Sequence, residues 1–293
     1  MSSQTIIGTG LSGLVGSRII ELNPEIQFTD LSLDTGFDIL KPDTFKTVFE
    51  EFTGGVVLHL AAFTDTNAAW LQRGDKSGLC YRLNVEGTQN ILNLCNKYHK
   101  YLISISTDFV FDGQKEGLYT EDDQPKPIEW YGETKYLAEK LILDSGHPAA
   151  IVRIAFPYRA SFEPKKDIIR KTIDGFKTYK LYPQWTDHFT TPTFIDDIAL
   201  GLKTFFDQKP TGIFNLVGSS SQSPFDMCQI VAETFGFDKN LVKPSTLVEY
   251  LASQPKDSRP WQKNLSLSNA KVSALGITMK TLTEGLEVLK QQL

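Results

Sequence analysis

The stretch Gly8-Thr-Gly-Leu-Ser-Gly-Leu-Val-Gly16 stands directly after a β-branched run at 5–7 and leads into an apolar, helix-periodic segment at 14–21. It satisfies GxGxxG at Gly8, Gly10 and Gly13. By itself the pattern is weak, since any glycine-rich turn ahead of a helix can match it. The context narrows it: glycines here let the backbone approach a pyrophosphate, whose charge the helix N-terminus meets. An acid, Asp30, closes the second strand-like run about 20 residues on, where it can accept hydrogen bonds from the adenosine ribose and repel a 2′-phosphate. Read as a cofactor residue rather than a solvated loop acid, Asp30 points to NAD, with NADH preferred over NADP.

Strand-like runs recur at 5–7, 26–29, 56–60, 101–105 and 150–154, and the segments between them carry helical periodicity, as in Val85, Thr88, Ile91, Leu92 and Cys95. Strands alternating with helices predict an α/β fold, a Rossmann-type doubly wound parallel sheet covered on both faces. After about residue 155 the pattern weakens: Pro157, Pro164, Pro183 and Pro192 break it up, a strand is predicted at 213–217, and helices at 222–235 and 281–291. The expected division is a dinucleotide-binding domain over 1–156, completed by parts of 188–217. A smaller α+β substrate-binding lobe takes 157–187 and 218–293.

Charge and cysteine usage restrict the partners. A net charge of -5, with Lys and Arg scattered among acids, gives no footprint for nucleic acid or an anionic membrane. Cys80, Cys95 and Cys228 form no CxxC, which suits a reducing compartment and argues against a thiolate metal site. No apolar run approaches about 18 residues and the start lacks a signal pattern, so a cytoplasmic protein with a small-molecule ligand and no metal is expected.

Tyr131-Gly-Glu-Thr-Lys135 opens a helix predicted over 131–143, and the spacing i, i+4 sets Tyr131 and Lys135 on one face. A phenol titrating near ~10 is a poor proton carrier at neutral pH, and moving it ~3 units costs about 4 kcal/mol. An ammonium roughly 4 Å away supplies about that much at an intermediate dielectric. Thr107, at the end of the fourth strand-like run in "ISISTDFVFDG" (103–113), adds a hydroxyl.

These motifs resemble the extended short-chain dehydrogenases that act on nucleotide sugars, and within them the dTDP-4-dehydrorhamnose reductases. The likeness is carried by "LAAFTDTNAA" at 60–69, "STDFVFDG" at 106–113, "YGETK" at 131–135, "TDHFTTPTFIDDIA" at 186–199 and "RPWQKNLSLSNAKV" at 259–272. It implies Thr107, Tyr131 and Lys135 as the catalytic group. It also implies a cofactor lined by Gly8, Gly10, Leu11, Ser12, Gly13, Asp30, Asp38, Ile39, Ala61, Ala62, Phe63, Asn84, Tyr131 and Lys135. The substrate it implies is a 4-keto nucleotide-diphospho-sugar, and a homodimer is left open.

In the related 4,6-dehydratases the threonine is followed by Asp and then Glu. Here Thr107-Asp108 is followed by Phe109, so the eliminating base is missing and reduction is expected. Asp108 reads equally well as a strand-end residue bonding nearby backbone. Thr107, Asp108, Phe109, Phe156 and His188 are the expected substrate contacts, whereas His59, inside the third strand, reads as core. The segment Trp70-Leu-Gln-Arg-Gly-Asp-Lys-Ser-Gly-Leu-Cys-Tyr-Arg82 is more basic than its counterpart in that family and directs Arg73 and Lys76 toward an anionic group. Thr190 and Phe156 stand where the family has Gly and Trp, near the sugar. Two rival readings share these residues: an epimerase with tightly held NAD, and a non-catalytic dinucleotide-binding subunit like the regulatory β subunit of methionine adenosyltransferase, which binds NADP.

Overall fold

The computed structural model describes residues 4–293; the first three residues of the predicted dinucleotide-binding domain lie outside the described residues. In chain order the strands are β1 (Thr5–Thr9), β2 (Gln27–Asp30), β3 (Val56–His59), β4 (Tyr101–Thr107), β5 (Ala149–Ile154), β6 (Pro157–Tyr158), β7 (Gln184–Trp185), β8 (Thr193–Phe194), β9 (Gly212–Asn215) and β10 (Pro244–Ser245). The helices are α1 (Gly16–Leu22), α2 (Lys46–Glu51), α3 (Thr66–Trp70), α4 (Leu79–Tyr81), α5 (Thr88–Lys97), α6 (Trp130–Asp144), α7 (Ile168–Lys177), α8 (Ile195–Gln208), α9 (Pro224–Phe235), α10 (Leu247–Ser253), α11 (Ala270–Ala274) and α12 (Leu282–Gln292).

Six strands form one parallel sheet in the order β2-β1-β3-β4-β5-β9. Neighbouring residues of each strand feed opposite cores, as a two-residue period requires. Ile6, Val56, Leu58, Ile103 and Val152 pack on Ile19 of α1 and on Ile198, Leu202, Phe205 and Phe206 of α8. Ile7, Val57, Leu102 and Ile151 pack on Phe49 of α2, Ile91 and Leu92 of α5, and Ile142 of α6. Strands apolar on both faces are what crossover helices on both sides demand, so the doubly wound expectation holds.

A separate core joins Tyr158, Ile169, Phe176, Phe194, Met227, Val231, Leu282 and Leu286 from α7, α9, α12 and the short strands. We propose this cluster as the nucleus of the smaller lobe expected at 157–187 and 218–293. Val272, Ile277 and Met279, from inside that range, pack instead into the sheet core beside α8.

One element was not legible beforehand. The helical periodicity of Val85, Thr88, Ile91, Leu92 and Cys95 is realised in two parts: after α4 the chain widens into a π-helical segment at Arg82–Gly87 and only then becomes α5. The wide turn has a use: Asn84 reaches Phe63 and Thr88 reaches His59 from the same stretch. Among the described residues no helix is long and apolar enough to cross a membrane.

The glycine turn is one of the tight points of the frame. Gly10 has φ +69°, and a Cβ there would lie 2.7 Å from the Ala61 nitrogen. Gly10→Ala is therefore expected to cost about 1–3 kcal/mol, read as a lower urea midpoint at unchanged slope. Gly36, at φ 89° with nothing within 4 Å of such a Cβ, is the control: Gly36→Ala should lose only the backbone part. Equal losses in the two variants would show that the Gly10–Ala61 approach is not what limits residue 10.

Candidate active site

The site is assembled where α6 meets the end of β4. Thr107 is the last residue of that strand, and its hydroxyl caps the short turn that follows by accepting from Phe109 N (3.3 Å). Glu129 caps α6, accepting from Gly132 N and from Tyr131 N (3.0 Å), which fixes the direction in which the helix leaves. Gly132 then makes a contact that no other residue permits: a Cβ on it would fall 2.1 Å from the Phe109 carbonyl oxygen. This close approach brings Tyr131 beside Thr107, so the two residues expected to work together do meet.

Burial sets the charge states. Tyr131 is half-buried, and desolvation pushes its phenol above the ordinary value, with Asp108, Glu129 and Cys80 adding to the push and only the Thr107 hydroxyl acting the other way. The depressed phenol expected from the i, i+4 spacing is thus corrected. The Lys135 ammonium is directed at the Ile105 carbonyl (2.7 Å), and burial pushes Lys135 itself down to about 8. Burial also raises both carboxyls flanking the phenol: Asp108 to about 7, against its bond from Thr107, and Glu129 to about 7, against its amide bonds. Asp108 Oδ1 accepts from Thr107 Oγ1 (2.9 Å), while its buried Oδ2 has no hydrogen-bond partner among the described residues.

The residues expected around a dinucleotide lie along the C-terminal ends of β1, β2 and β3. Asp30 is paired in register with Gly8 and accepts from Ser32 Oγ. In the turn Leu11 is buried, Ser12 exposed and Gly13 half-exposed. Ala61, Ala62 and Phe63 continue that half-exposed edge from the end of β3. Glycine-thin backbone with a carboxylate at one end is the donor set a dinucleotide fits. Asp38 caps a turn by accepting from Leu40 N, and Ile39 is buried against Gly87. Asn84 stands behind the edge: fully buried, it accepts from Phe63 N (2.7 Å) and donates to Thr134 Oγ1 (2.9 Å). Its geometry is that of a residue holding the 61–63 loop against α6. His59 is core, bonded to Thr9 Oγ1 (2.7 Å) and Thr88 Oγ1 (3.1 Å).

On the other side of Tyr131 a cleft of about 660 Å³ is lined by Phe156, Trp185, His188, Thr190, Tyr250 and Trp261, among others. Phe109 connects it to the phenol, edge-on to Tyr131 at 5.8 Å and stacked on Phe156 at 6.2 Å. Phe156 sits at φ 40°, an uncommon conformation for a bulky residue, at the mouth of the cleft. His188 Nδ1 is bonded to the Gln262 carbonyl (2.7 Å), with its ring between Phe156 and Trp185. Trp185, Tyr250, Trp261 and Arg259 were missed in the sequence: Arg259 lies 3.8 Å from the Trp261 ring centre and 5.9 Å from that of Phe109. Their trace in the sequence was the motif "RPWQKNLSLSNAKV", whose Arg259 reaches back to Asn67 Oδ1 (3.2 Å). Arg73 and Lys76, expected to reach an anion, are exposed and lie over Trp70 and Tyr81.

A glycine turn at the end of β1 beside a Thr, Tyr and Lys set at the ends of β4 and α6 defines the extended short-chain dehydrogenase class. Within it the chain belongs to the family described as RmlD substrate binding domain, whose model matches residues 4–293. Among curated proteins it is 27% identical to a probable low-salt glycan biosynthesis reductase, Agl14, of Haloferax volcanii, covering 96% of each chain. It is 26% identical to methionine adenosyltransferase 2 subunit beta of Rattus norvegicus, covering 95% of this chain and 84% of the relative. Among solved structures, a dTDP-4-dehydrorhamnose reductase of Bacillus anthracis in complex with NADP superposes with TM-score 0.88 at 23% identity, over 99% of this chain and 100% of that one.

The raised carboxyls give a pH signature. From about pH 4, where Asp108 would ionise in the unfolded chain, up to about 7, the fold keeps its proton and the unfolded chain sheds it. Its stabilising contribution is therefore complete below the unfolded value and lost as pH rises toward 7. Asp108→Asn should gain on the parent by about 2–4 kcal/mol between pH 4 and pH 8, read from denaturant titrations. A gap that stays constant over that range would mean Asp108 ionises normally in the fold.

Proposed function

We propose that this protein is an NADH-dependent oxidoreductase that reduces the 4-keto group of a nucleotide-diphospho-sugar. The observation that carries the reading is the meeting of Tyr131 and Thr107 between the glycine-turn edge and an aromatic cleft. The family, the reductase relative and the NADP complex of the Bacillus anthracis neighbour support it. The bound nicotinamide supplies the hydride. Gly8, Gly10, Leu11, Ser12 and Gly13 offer backbone to the pyrophosphate, and Asp30 accepts from the adenosine ribose. Asp38, Ile39 and the loop Ala61, Ala62 and Phe63, braced by Asn84, line the rest.

Tyr131 and Thr107 present their hydroxyls to the ketone oxygen, Thr107 turning its proton away from Asp108 Oδ1 to do so. A phenol whose pKa is raised stays protonated at neutral pH, the form a reduction needs, and Tyr131 gives that proton to the oxygen as negative charge develops there. Thr107, favouring the phenolate, eases the transfer, and Lys135, whose ammonium bonds the Ile105 carbonyl of β4, would bond the nicotinamide ribose of the bound cofactor. Phe109, where an elimination base would stand, keeps the chemistry to reduction. Phe109, Phe156 and His188 bound the sugar end of the cleft, with Asp108 behind Thr107.

Two measurements test this reading. NADH should bind tighter than NADPH because Asp30 repels a 2′-phosphate, and Asp30→Ala should narrow the gap; a parent preference for NADPH by fluorescence titration would overturn the assignment of Asp30. Tyr131→Phe should lower kcat about 10²- to 10⁴-fold with dinucleotide affinity nearly unchanged, followed by NADH oxidation across a panel of 4-keto nucleotide sugars. An unchanged kcat would remove Tyr131 from the chemistry. A parent that binds dinucleotide yet oxidises none with any sugar would favour the regulatory-subunit reading that the methionine adenosyltransferase likeness raises.

A further inference from the structure

The face of α6 that carries Tyr131 and Lys135 continues one turn further to Glu139, at i, i+4 and i+8. Glu139 is 2% exposed and fully engaged: Ser106 Oγ donates to Oε1 (2.6 Å), Arg153 Nε to Oε1 (2.9 Å) and Arg153 Nη2 to Oε2 (2.7 Å). Arg153 is 0% exposed on β5, in register with Ser106 of β4, its guanidinium 5.0 Å from the Phe111 ring centre. Lys135, 4% exposed, bonds the carbonyl of Ile105, the residue just before Ser106. Two cations and one anion are therefore buried side by side under the catalytic helix.

Such a group is a poor way to gain stability. Desolvating ions costs several kcal/mol each, and apolar residues of similar volume often serve as well or better. The arrangement acquires a purpose through its neighbour. We propose that Glu139, clamped by Arg153 and Ser106, is the positioning counter-charge of Lys135, keeping the ammonium charged and aligned along β4 so that it can serve Tyr131 at neutral pH.

The surroundings of Lys135 leave this task to Glu139. On β3, His59 faces it and is held neutral by burial, pushed down to about 3. On α4, Cys80 faces it with its thiol raised by burial. On β4 it bonds the neutral Ile105 carbonyl, next to Ser106, and the cation in register with Ser106 on β5 is Arg153, whose charge is like its own. Burial drives Lys135 down, and among the groups that act on it Glu139 is the leading one holding it up.

The proposal rests on Lys135 being the functional cation, and its test separates the two. In protein labelled at lysine ¹³Cε and free of cofactor, the Lys135 signal, assigned by its loss in Lys135→Arg, is titrated. Glu139→Gln should lower its midpoint by about one pH unit or more, and Arg153→Met, which leaves Glu139 to Lys135 alone, should raise it. In turnover, Glu139→Gln should lose about tenfold or more in kcat at pH 8 but only about threefold at pH 6, with Glu139→Asp recovering most of the loss. A merely structural pair predicts lower stability in both variants and midpoints that do not part in opposite directions; that result overturns the proposal. If Glu139→Gln does not fold, Arg153→Met alone decides by the sign of its shift. Midpoints that part as expected in a protein that reduces no sugar support the Glu139 assignment and overturn the reductase reading.

Discussion

Everything at the site depends on how closely the first turn of α6 approaches the end of β4. The Gly132 backbone lies where a single added carbon would fall 2.1 Å from the Phe109 oxygen. Glu129 fixes the helix start from one side, and Asn84 with Thr134 ties the same helix to the loop after β3 from the other. Because α6 is pinned at this point, its successive turns deliver Tyr131 to Thr107, Lys135 to Ile105 and Glu139 to Ser106. One docking contact thus sets the register of a whole column of polar groups against one strand.

That column works by exclusion of water. The strand ends are covered by aromatic side chains, Phe109 and Phe156 on one side and Tyr81 stacked on Trp130 on the other. In so dry a place a charge persists only where it is paired. Asp108 and Glu129 respond by holding protons to about 7, His59 by staying neutral, and Tyr131 by keeping its phenol proton. Lys135 is pushed down to about 8 by burial, with Glu139 acting the other way, and Arg153 makes a bidentate bond to the same carboxylate. The chemistry proposed for the site, proton donation from a neutral phenol with a cation close behind, is the one this distribution of charge favours.

The aromatic cleft shows a different use of the same physics. Trp185, Tyr250 and Trp261 meet at nearly right angles or tilted, with centroids 5.0–6.2 Å apart, in the edge-to-face manner of packed rings. They come from β7, from α10 and from the loop after residue 258, held near one another by the β7–β10 pairing. These segments therefore contribute flat apolar walls, while the polar groups of the site lie along the sheet and α6.

Much of this was legible in the chain alone. Local patterns fixed the alternation of strands and helices, the glycine turn after β1, the acid abreast of it on β2, and the shared face of Tyr131 and Lys135, because each depends on residues a few positions apart. A parallel sheet buried on both faces follows from runs such as Val56-Val-Leu58, which have no polar side. The three-dimensional fold alone decided whatever depends on distant residues meeting. The π-helical turn at Arg82–Gly87 exists because Asn84 and Thr88 must both reach partners on other elements. Arg259 and Trp261 join the site from the far end of the chain. The Tyr131 phenol is raised rather than lowered because burial strips it of water, with Asp108 and Glu129 adding to the push, while Lys135 turns to a strand carbonyl. Spacing tells which side chains share a helix face; only packing tells how much water and which charges they meet there, and those determine the proton.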